Sequence, residues 1–142
     1  MKYLKIMMLI ALMGSFLSVS AQTKKEDGKQ AVNSSGKIEV YYFHFTARCN
    51  TCKTIEAQAK EDLQTLYPEQ VKNGLITFQS LNLDDESTRS ISDKLGVSGQ
   101  TLLLIKGNQK INLTNEGFMY AVVKPEKFKE IINEKVNDLL SR

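Results

Sequence analysis

The side chains best suited to chemistry lie within nine residues of one another, between His44 and Cys52. They are the only histidine, His44, and the only two cysteines, Cys49 and Cys52. Cysteines in a C-x-x-C spacing can form and break a disulfide. At the start of a helix, free backbone N–H groups and the helix dipole favour a negative charge. The pattern therefore predicts that Cys49 is a thiolate nucleophile and that Cys52 resolves the mixed disulfide that Cys49 forms.

Two neighbouring side chains are candidates for tuning the cysteines. Arg48 either adds a positive charge that stabilises the Cys49 thiolate or points into water. His44 is either a half-buried histidine with a backbone partner or a proton partner for the thiols, because imidazole titrates near physiological pH. The sequence leaves both pairs of alternatives open.

Other uses of the cysteine pair have less support. A disulfide that closes so short a loop removes little entropy from the unfolded chain, which disfavours an inert structural link. Haem attachment requires a histidine directly after the second cysteine, where this chain has Lys53. A structural zinc site needs four ligands, more than one cysteine pair and one histidine supply. A soft ion, Cu(I) or As(III), bound by Cys49 and Cys52 with His44 as a third ligand, remains an alternative.

The residues around the cysteines predict a junction between a strand and a helix. Residues 38–45, IEVYYFHF, are apolar on both faces, which favours a strand in the middle of a sheet. After the cysteines, apolar residues recur every three or four positions until Pro68. This stripe consists of Cys52, Ile55, Ala59, Leu63 and Leu66. It predicts a helix with Cys52 on its inner face.

The rest of the sequence predicts a second strand, a second helix, a hairpin and a final helix. Residues 75–83 form the strand candidate, and the acidic residues after it favour a short helix that ends at Gly96. Residues 101–105 and 110–114 flank a Gly-Asn turn, which is typical of a β-hairpin. Pro125 is well placed to begin the last helix. This order predicts an α/β fold with a mixed sheet, formed by a parallel βαβ unit and an antiparallel C-terminal hairpin, between flanking helices.

The N-terminal part of the chain is predicted to lie outside this domain. Residues 1–21 contain two lysines, an apolar run and then small residues, which is the pattern of a signal peptide cleaved after Ala21. The run is shorter than the ~20 residues that a spanning helix requires, so we expect a periplasmic or otherwise exported protein without a permanent membrane anchor. Residues 22–36 are mostly polar and predict a flexible linker. The domain then covers residues 37–142.

The charge of the chain argues against nucleic acid as a partner. The formal net charge is +3 over 142 residues, and the basic residues do not cluster with interleaved aromatic residues. No glycine-rich phosphate loop follows a predicted strand, so we expect no flavin or other cofactor. We also expect a monomer.

Residues 38–142 resemble the thioredoxin superfamily along nearly their whole length. CNTCK resembles its C-G-P-C-K motif, SLNLDD its third strand, and GVSGQTLLLIKGNQK its G-I-x-G-x-P-T run with the turn that follows. Within the superfamily, YYFH and GQTLLLIKG resemble the nitroreductase-subunit family of arsenic operons. The resemblance implies a thioredoxin-like fold in which Cys49 and Cys52 are catalytic. Nothing in the sequence predicts nitroreductase activity by this chain alone.

Three positions depart from the superfamily pattern. Arg48 replaces the tryptophan before the first cysteine, Phe43 a buried acid, and Gln100 the cis-proline. A non-proline cis bond costs about 2.5–4 kcal/mol, so we expect a trans peptide before Gln100 and a changed mode of peptide docking. Without the acid, His44 or water would accept the proton of Cys52.

These features predict an exported thiol-disulfide oxidoreductase. Its partner would be a protein or small-molecule disulfide or dithiol, with a membrane dithiol as a candidate electron donor. The alternatives are the soft-ion thiolate-binding protein described above and a non-catalytic thioredoxin-like subunit of a reductase complex.

Overall fold

The structure, a computed structural model, describes residues 36–142. The predicted signal peptide and all but the last residue of the predicted linker lie outside these residues. The elements in chain order are β1 (Ile38–His44), α1 (Asn50–Leu66), α2 (Pro68–Lys72), β2 (Ile76–Asn82), α3 (Glu86–Leu95), β3 (Thr101–Lys106), β4 (Gln109–Asn112), α4 (Thr114–Tyr120) and α5 (Pro125–Ser141). None of the helices in this part of the chain has both the length and the apolar character needed to cross a membrane.

The four strands form one mixed sheet in the order β2-β1-β3-β4. β1 pairs parallel with β2 and antiparallel with β3, and β3 pairs antiparallel with β4. β1 therefore lies in the interior of the sheet, which explains why it is apolar on both faces. The predicted fold class, a thioredoxin-like α/β fold with a parallel pair and an antiparallel hairpin, is confirmed.

Alternating side chains of β1 contribute to two separate clusters of the core. Val40 and Tyr42 pack with the buried residues of α1 and α5 on one face of the sheet. Tyr41 and Phe43 pack on the other face, where α3 covers them with Ile91 and neighbouring residues. Because side chains alternate along a strand, the position of a residue in β1 determines which helix its side chain contacts. Tyr42 thus lies on the same face as the cysteine-bearing helix.

The hairpin and the segment after it differ in detail from the sequence prediction. The second strand of the hairpin was predicted to run to Thr114, but it ends at Asn112, and Thr114 begins α4 instead. The Asn112 side chain accepts hydrogen bonds from the Thr114 backbone N–H at 2.9 Å and from its hydroxyl at 2.6 Å. This turn ends the strand and directs the chain into a helix that its apolar pattern does not predict.

Pro68 ends α1, as predicted, and also begins the short helix α2. Proline suits this position because the first turn of a helix has no partner for its N–H groups. At the end of α3, Gly96 adopts a left-handed conformation with φ 69°, which glycine accommodates without strain. The predicted end of α3 is therefore confirmed.

Candidate redox site

Cys49 and Cys52 lie at the N-terminus of α1, shortly after the interior strand β1. Cys49 is the N-cap residue, and its sulfur accepts a hydrogen bond from the Cys52 backbone N–H at 3.3 Å. The two side chains are joined in a disulfide, with 5.2 Å between their Cα atoms. Cys49 is exposed, whereas Cys52 is only 5% exposed. A partner can therefore reach Cys49 first.

The electrostatic surroundings of Cys49 favour a thiolate in the reduced protein. The first turn of α1 contains no acidic residue. The first N–H groups of a helix have no carbonyl partner within the helix, and they form the positive end of the helix dipole. One of these groups, the Cys52 N–H, points at the Cys49 sulfur. Both features lower the free energy of a negative charge at that sulfur.

The loop that carries Cys49 is attached to the end of β2. The Thr46 backbone N–H donates to the Asp84 carboxylate at 2.7 Å, and the Asn82 side chain donates to the Thr46 hydroxyl at 2.8 Å. The first of these bonds is the main reason why the pKa of Asp84 lies below its ordinary value. These bonds tie the loop that follows β1 to the end of the neighbouring parallel strand, β2.

Arg48 forms an ion pair with Glu56, one turn beyond Cys52 on α1. Both side chains are about one-fifth exposed, at 21% each. Arg48 is therefore neither free in water nor devoted to the Cys49 sulfur, because a carboxylate shares its charge. Neither of the two alternatives considered for Arg48 from the sequence included this partner.

His44 has the backbone partner that one of its two alternatives describes. Its Nδ1 donates to the Phe45 carbonyl oxygen at 2.9 Å, because a carbonyl can only accept. Its ring lies 6.2 Å from the Tyr42 ring, measured between centroids. Within residues 36–142, no group of three or more histidine, cysteine, aspartate or glutamate side chains is arranged to bind a metal ion. His44 does not complete a three-ligand site with the two cysteines.

The sequence pattern does not identify Tyr42 as a site residue, and it singles out Gln100 only as the counterpart of the cis-proline. The buried Tyr42 hydroxyl donates to the Cys52 carbonyl oxygen at 2.7 Å and accepts a hydrogen bond from the Gln100 side-chain amide. Phe43, at the position of the family's buried acid, points to the opposite face of the sheet. The alternation of β1 placed Tyr42 on the α1 face, but only the fold shows its contact with Cys52.

Gln100 is connected to the cysteine pair through the Tyr42 hydroxyl, which contacts Cys52. The Gly99–Gln100 peptide is trans, as expected, since the described residues contain no cis peptide. The Thr101 hydroxyl donates to the Gly99 carbonyl oxygen at 2.9 Å, which orders the backbone on either side of Gln100. A hydrogen-bonding side chain thus stands at the position where the resemblance to the thioredoxin superfamily would place a proline.

Cys49 lies at an exposed corner, where β1 leads into α1. Neither cysteine lines the clefts of about 330 and 230 Å³ that occur in the described part of the chain. The first lies between α3 and the hairpin, and the second lies between α1, α2 and β2, with neither cysteine in its wall. The corner suits a partner that presents a sulfur atom at a surface.

The C-x-x-C pair thus lies at the start of the helix that follows an interior strand, within an α/β fold of the thioredoxin-like class. The chain is similar to the germline-specific thioredoxin Deadhead (thioredoxin-1) from Drosophila melanogaster, with 17% identity and a TM-score of 0.44 over 71% of this chain and 83% of that one. It is also similar to a solved malarial protein, with 24% identity and a TM-score of 0.38 over 52% of this chain and 74% of that one. No family profile and no curated protein matches the chain. Similarities this low carry no functional argument.

Proposed function

We propose that this protein is an exported thiol-disulfide oxidoreductase in which Cys49 is the attacking cysteine and Cys52 the resolving cysteine. The observation that carries the proposal is the position of Cys49, which is exposed at the N-cap of α1 and receives the Cys52 N–H on its sulfur. The burial of Cys52 supports the division of roles, because a shielded sulfur reacts only after a partner is bound to Cys49.

The proposed reaction consists of two exchanges. The Cys49 thiolate attacks a disulfide of the substrate, a new S–S bond forms, and one substrate sulfur leaves as a thiolate. The Cys52 thiolate then attacks the Cys49 sulfur, releases the second substrate sulfur as a thiolate, and leaves the Cys49–Cys52 disulfide. Two electrons pass to the substrate, and the released thiolates take up protons from water. The reverse sequence would oxidise a dithiol.

Export is part of the proposal and is supported by the signal-peptide pattern of residues 1–21. In an oxidising compartment the cysteine pair would remain a disulfide unless a membrane dithiol donor reduced it. The narrower kinship with the nitroreductase-subunit family of arsenic operons also belongs to this proposal. In such a complex this chain would contribute the Cys49–Cys52 dithiol, and the proposal assigns it no nitro chemistry.

The proposal is tested by equilibrating the purified protein with glutathione redox buffers and following the mass change of about 2 Da per disulfide. We expect rapid, reversible exchange that Cys49→Ser abolishes. Cys52→Ser is the matched variant: it should retain attack by Cys49 and accumulate a stable mixed disulfide with glutathione. If neither cysteine exchanges in the wild type, the proposal is wrong.

The same titration separates the soft-ion alternative. It is repeated with one equivalent of Cu(I) or arsenite added to the reduced protein. The oxidoreductase proposal expects exchange to continue at a similar rate. Stoichiometric blockage of both exchange and alkylation would favour a thiolate-binding protein instead.

A further inference from the structure

We infer that Tyr42 and Gln100 are positioning residues for the cysteine pair, acting through the Cys52 carbonyl group to hold the Cys52 N–H against the Cys49 sulfur. The inference rests on the proposed function, in which Cys49 attacks a disulfide as a thiolate. The acidity of Cys49 itself can be measured without any substrate.

Tyr42 donates its hydroxyl proton in one defined direction. Its ring comes from β1 and is 1% exposed, so water does not compete for the hydroxyl group. The hydroxyl oxygen accepts from the Gln100 amide, which uses one lone pair and directs the single proton elsewhere. That proton lies on the Cys52 carbonyl oxygen, at an O···O distance of 2.7 Å. Gln100 thus determines the direction in which Tyr42 donates.

The protonation state of the Tyr42 hydroxyl determines what it can do for the cysteines. Burial is the largest influence on this hydroxyl, and it raises the pKa of Tyr42 above its ordinary value of 10.0. Tyr42 therefore remains a neutral donor throughout the pH range in which thiols exchange. It does not replace the missing acid as a proton acceptor, and its contribution has to come from holding the backbone in place.

The Cys52 carbonyl group is linked to Cys49 through the backbone. The Cys52 carbonyl and the Lys53 N–H belong to one peptide unit, and that N–H donates to the Cys49 carbonyl oxygen at 3.2 Å. Hydrogen bonds in such a chain polarise one another. The first turn of a helix frays readily, so a buried donor beneath Cys52 keeps the Cys52 N–H in line with the Cys49 sulfur.

The loop before β3 is attached to the cysteine end of α1 through Tyr42. Gln100 comes from the loop that precedes β3, whereas Cys52 belongs to α1, and the Tyr42 hydroxyl is hydrogen-bonded to both. Losing either side chain should therefore loosen the same contact. The two residues are expected to act as one unit rather than independently.

The test measures the pH dependence of Cys49 alkylation by iodoacetamide in the protein reduced with dithiothreitol. For Tyr42→Phe we expect a higher Cys49 pKa, with the alkylation rate at pH 7 reduced about three- to tenfold. Where exchange with glutathione is measured, the equilibrium should shift toward the protein disulfide by a similar factor, because the thiolate form loses a stabilising N–H.

The control for this test is Tyr67→Phe. Tyr67 is also a buried tyrosine, at the end of α1 farthest from the cysteines, and its hydroxyl donates to the Asn133 side-chain oxygen on α5 at 2.6 Å. It removes a comparable hydrogen bond from the same core. We expect a loss of stability with no change in the pH profile of Cys49.

Gln100→Met keeps the length of the side chain, removes its donor, and provides a second variant if Tyr42→Phe folds poorly. It should change Cys49 in the same direction, and the Tyr42→Phe/Gln100→Met double variant should add little further change. An unchanged profile in both single variants, or equal shifts in Tyr67→Phe, would overturn the inference. Absence of glutathione exchange in the wild type would instead count against the proposed function, since alkylation still reports on Cys49.

Discussion

The two ends of helix α1 treat buried polar groups in opposite ways. At the N-terminal end, the Cys52 carbonyl group receives the Tyr42 hydroxyl, and that hydroxyl is in turn satisfied by Gln100. Toward the C-terminal end, the Asp62 side chain is 1% exposed, and only one of its oxygens has a partner, the Gln58 amide at 2.9 Å. The other oxygen, Oδ2, has no hydrogen-bond partner among the described residues.

This difference indicates where precise geometry matters in the molecule. A buried polar atom without a partner costs free energy, and the chain tolerates that cost at the far end of α1. It avoids the cost beside the cysteines, where a shift of the backbone would move the Cys52 N–H away from the Cys49 sulfur. The stability of α1 and the acidity of Cys49 should therefore respond to different substitutions.

The largest predicted effect compares Ile55→Ala with Leu63→Ala. Both side chains are fully buried in the same cluster, so each substitution should lower the free energy of unfolding by about 2–5 kcal/mol. Ile55 lies next to the cysteine end and packs closely on Gly117, where an added Cβ would come within 2.9 Å of the Ile55 side chain. Only Ile55→Ala should also raise the Cys49 pKa.

Urea denaturation gives the stability of these two variants, and alkylation as a function of pH gives the acidity of Cys49. Leu63→Ala is the control, because it creates a similar cavity at the end of α1 without a cysteine. Equal changes in Cys49 acidity for both variants would show that the two ends of the helix are coupled, and the comparison would then be wrong.

The second prediction concerns Asp62→Asn, which keeps the shape of the side chain and removes its charge. Burial is the main cause that raises the pKa of Asp62 above its ordinary value of 3.8. A raised pKa means that the folded protein holds this proton more tightly than the unfolded chain, so the cost of ionisation appears only as the pH rises above 3.8. We expect the variant to be more stable by about 1 kcal/mol at pH 7.

Urea denaturation at pH 7 and at pH 3 tests this sign. The gain in stability should disappear at the lower pH, where Asp62 is protonated in both states. Glu61→Gln serves as the control, because it removes a charge from the exposed neighbouring position of the same helix. A gain of equal size at both pH values would mean that the charge of Asp62 is not its cause.

Most of the fold could be predicted because the apolar pattern determines burial directly. Residues 38–43 carry apolar side chains on both faces, which an interior strand can bury, and β1 is an interior strand. The strand ends at His44 rather than at the predicted Phe45, which is 40% exposed. The stripe from Cys52 to Leu66 likewise defines α1 and its inner face. Helix α4 could not be predicted in this way, because Phe118 and Met119 are apolar but exposed. Its start depends on a side-chain turn at Asn112.

The candidate site was only partly predictable for a related reason. The place of Cys49 follows from the local pattern, because a strand, a short loop and a helical stripe leave it at the helix start. The contact of Tyr42 with Cys52 depends instead on how α1 crosses the sheet. The ion pair of Arg48 with Glu56 depends on how the loop before α1 folds back along the helix. Periodicity places a side chain on a face, but it does not identify the atom that the side chain meets across the core.

The smallest predicted effect is that of Asp84→Asn, at the exposed carboxylate that holds the cysteine loop. The hydrogen bonds from Thr46 are the main reason why the pKa of Asp84 lies below its ordinary value of 3.8. A lowered pKa means that ionised Asp84 stabilises the folded protein above pH 3.8, and that this contribution is lost as the pH falls through the lower, folded pKa. Asparagine keeps an oxygen that can accept the Thr46 N–H, so the variant loses only the charge-assisted part of the bond.

We expect a slight loss of stability for Asp84→Asn at pH 7 that vanishes in strong acid, which is opposite in sign to Asp62→Asn. Acid titration of the two variants and their combination, followed by circular dichroism, measures both signs, and a gain of stability for Asp84→Asn at pH 7 would contradict the role of Asp84 in holding the loop.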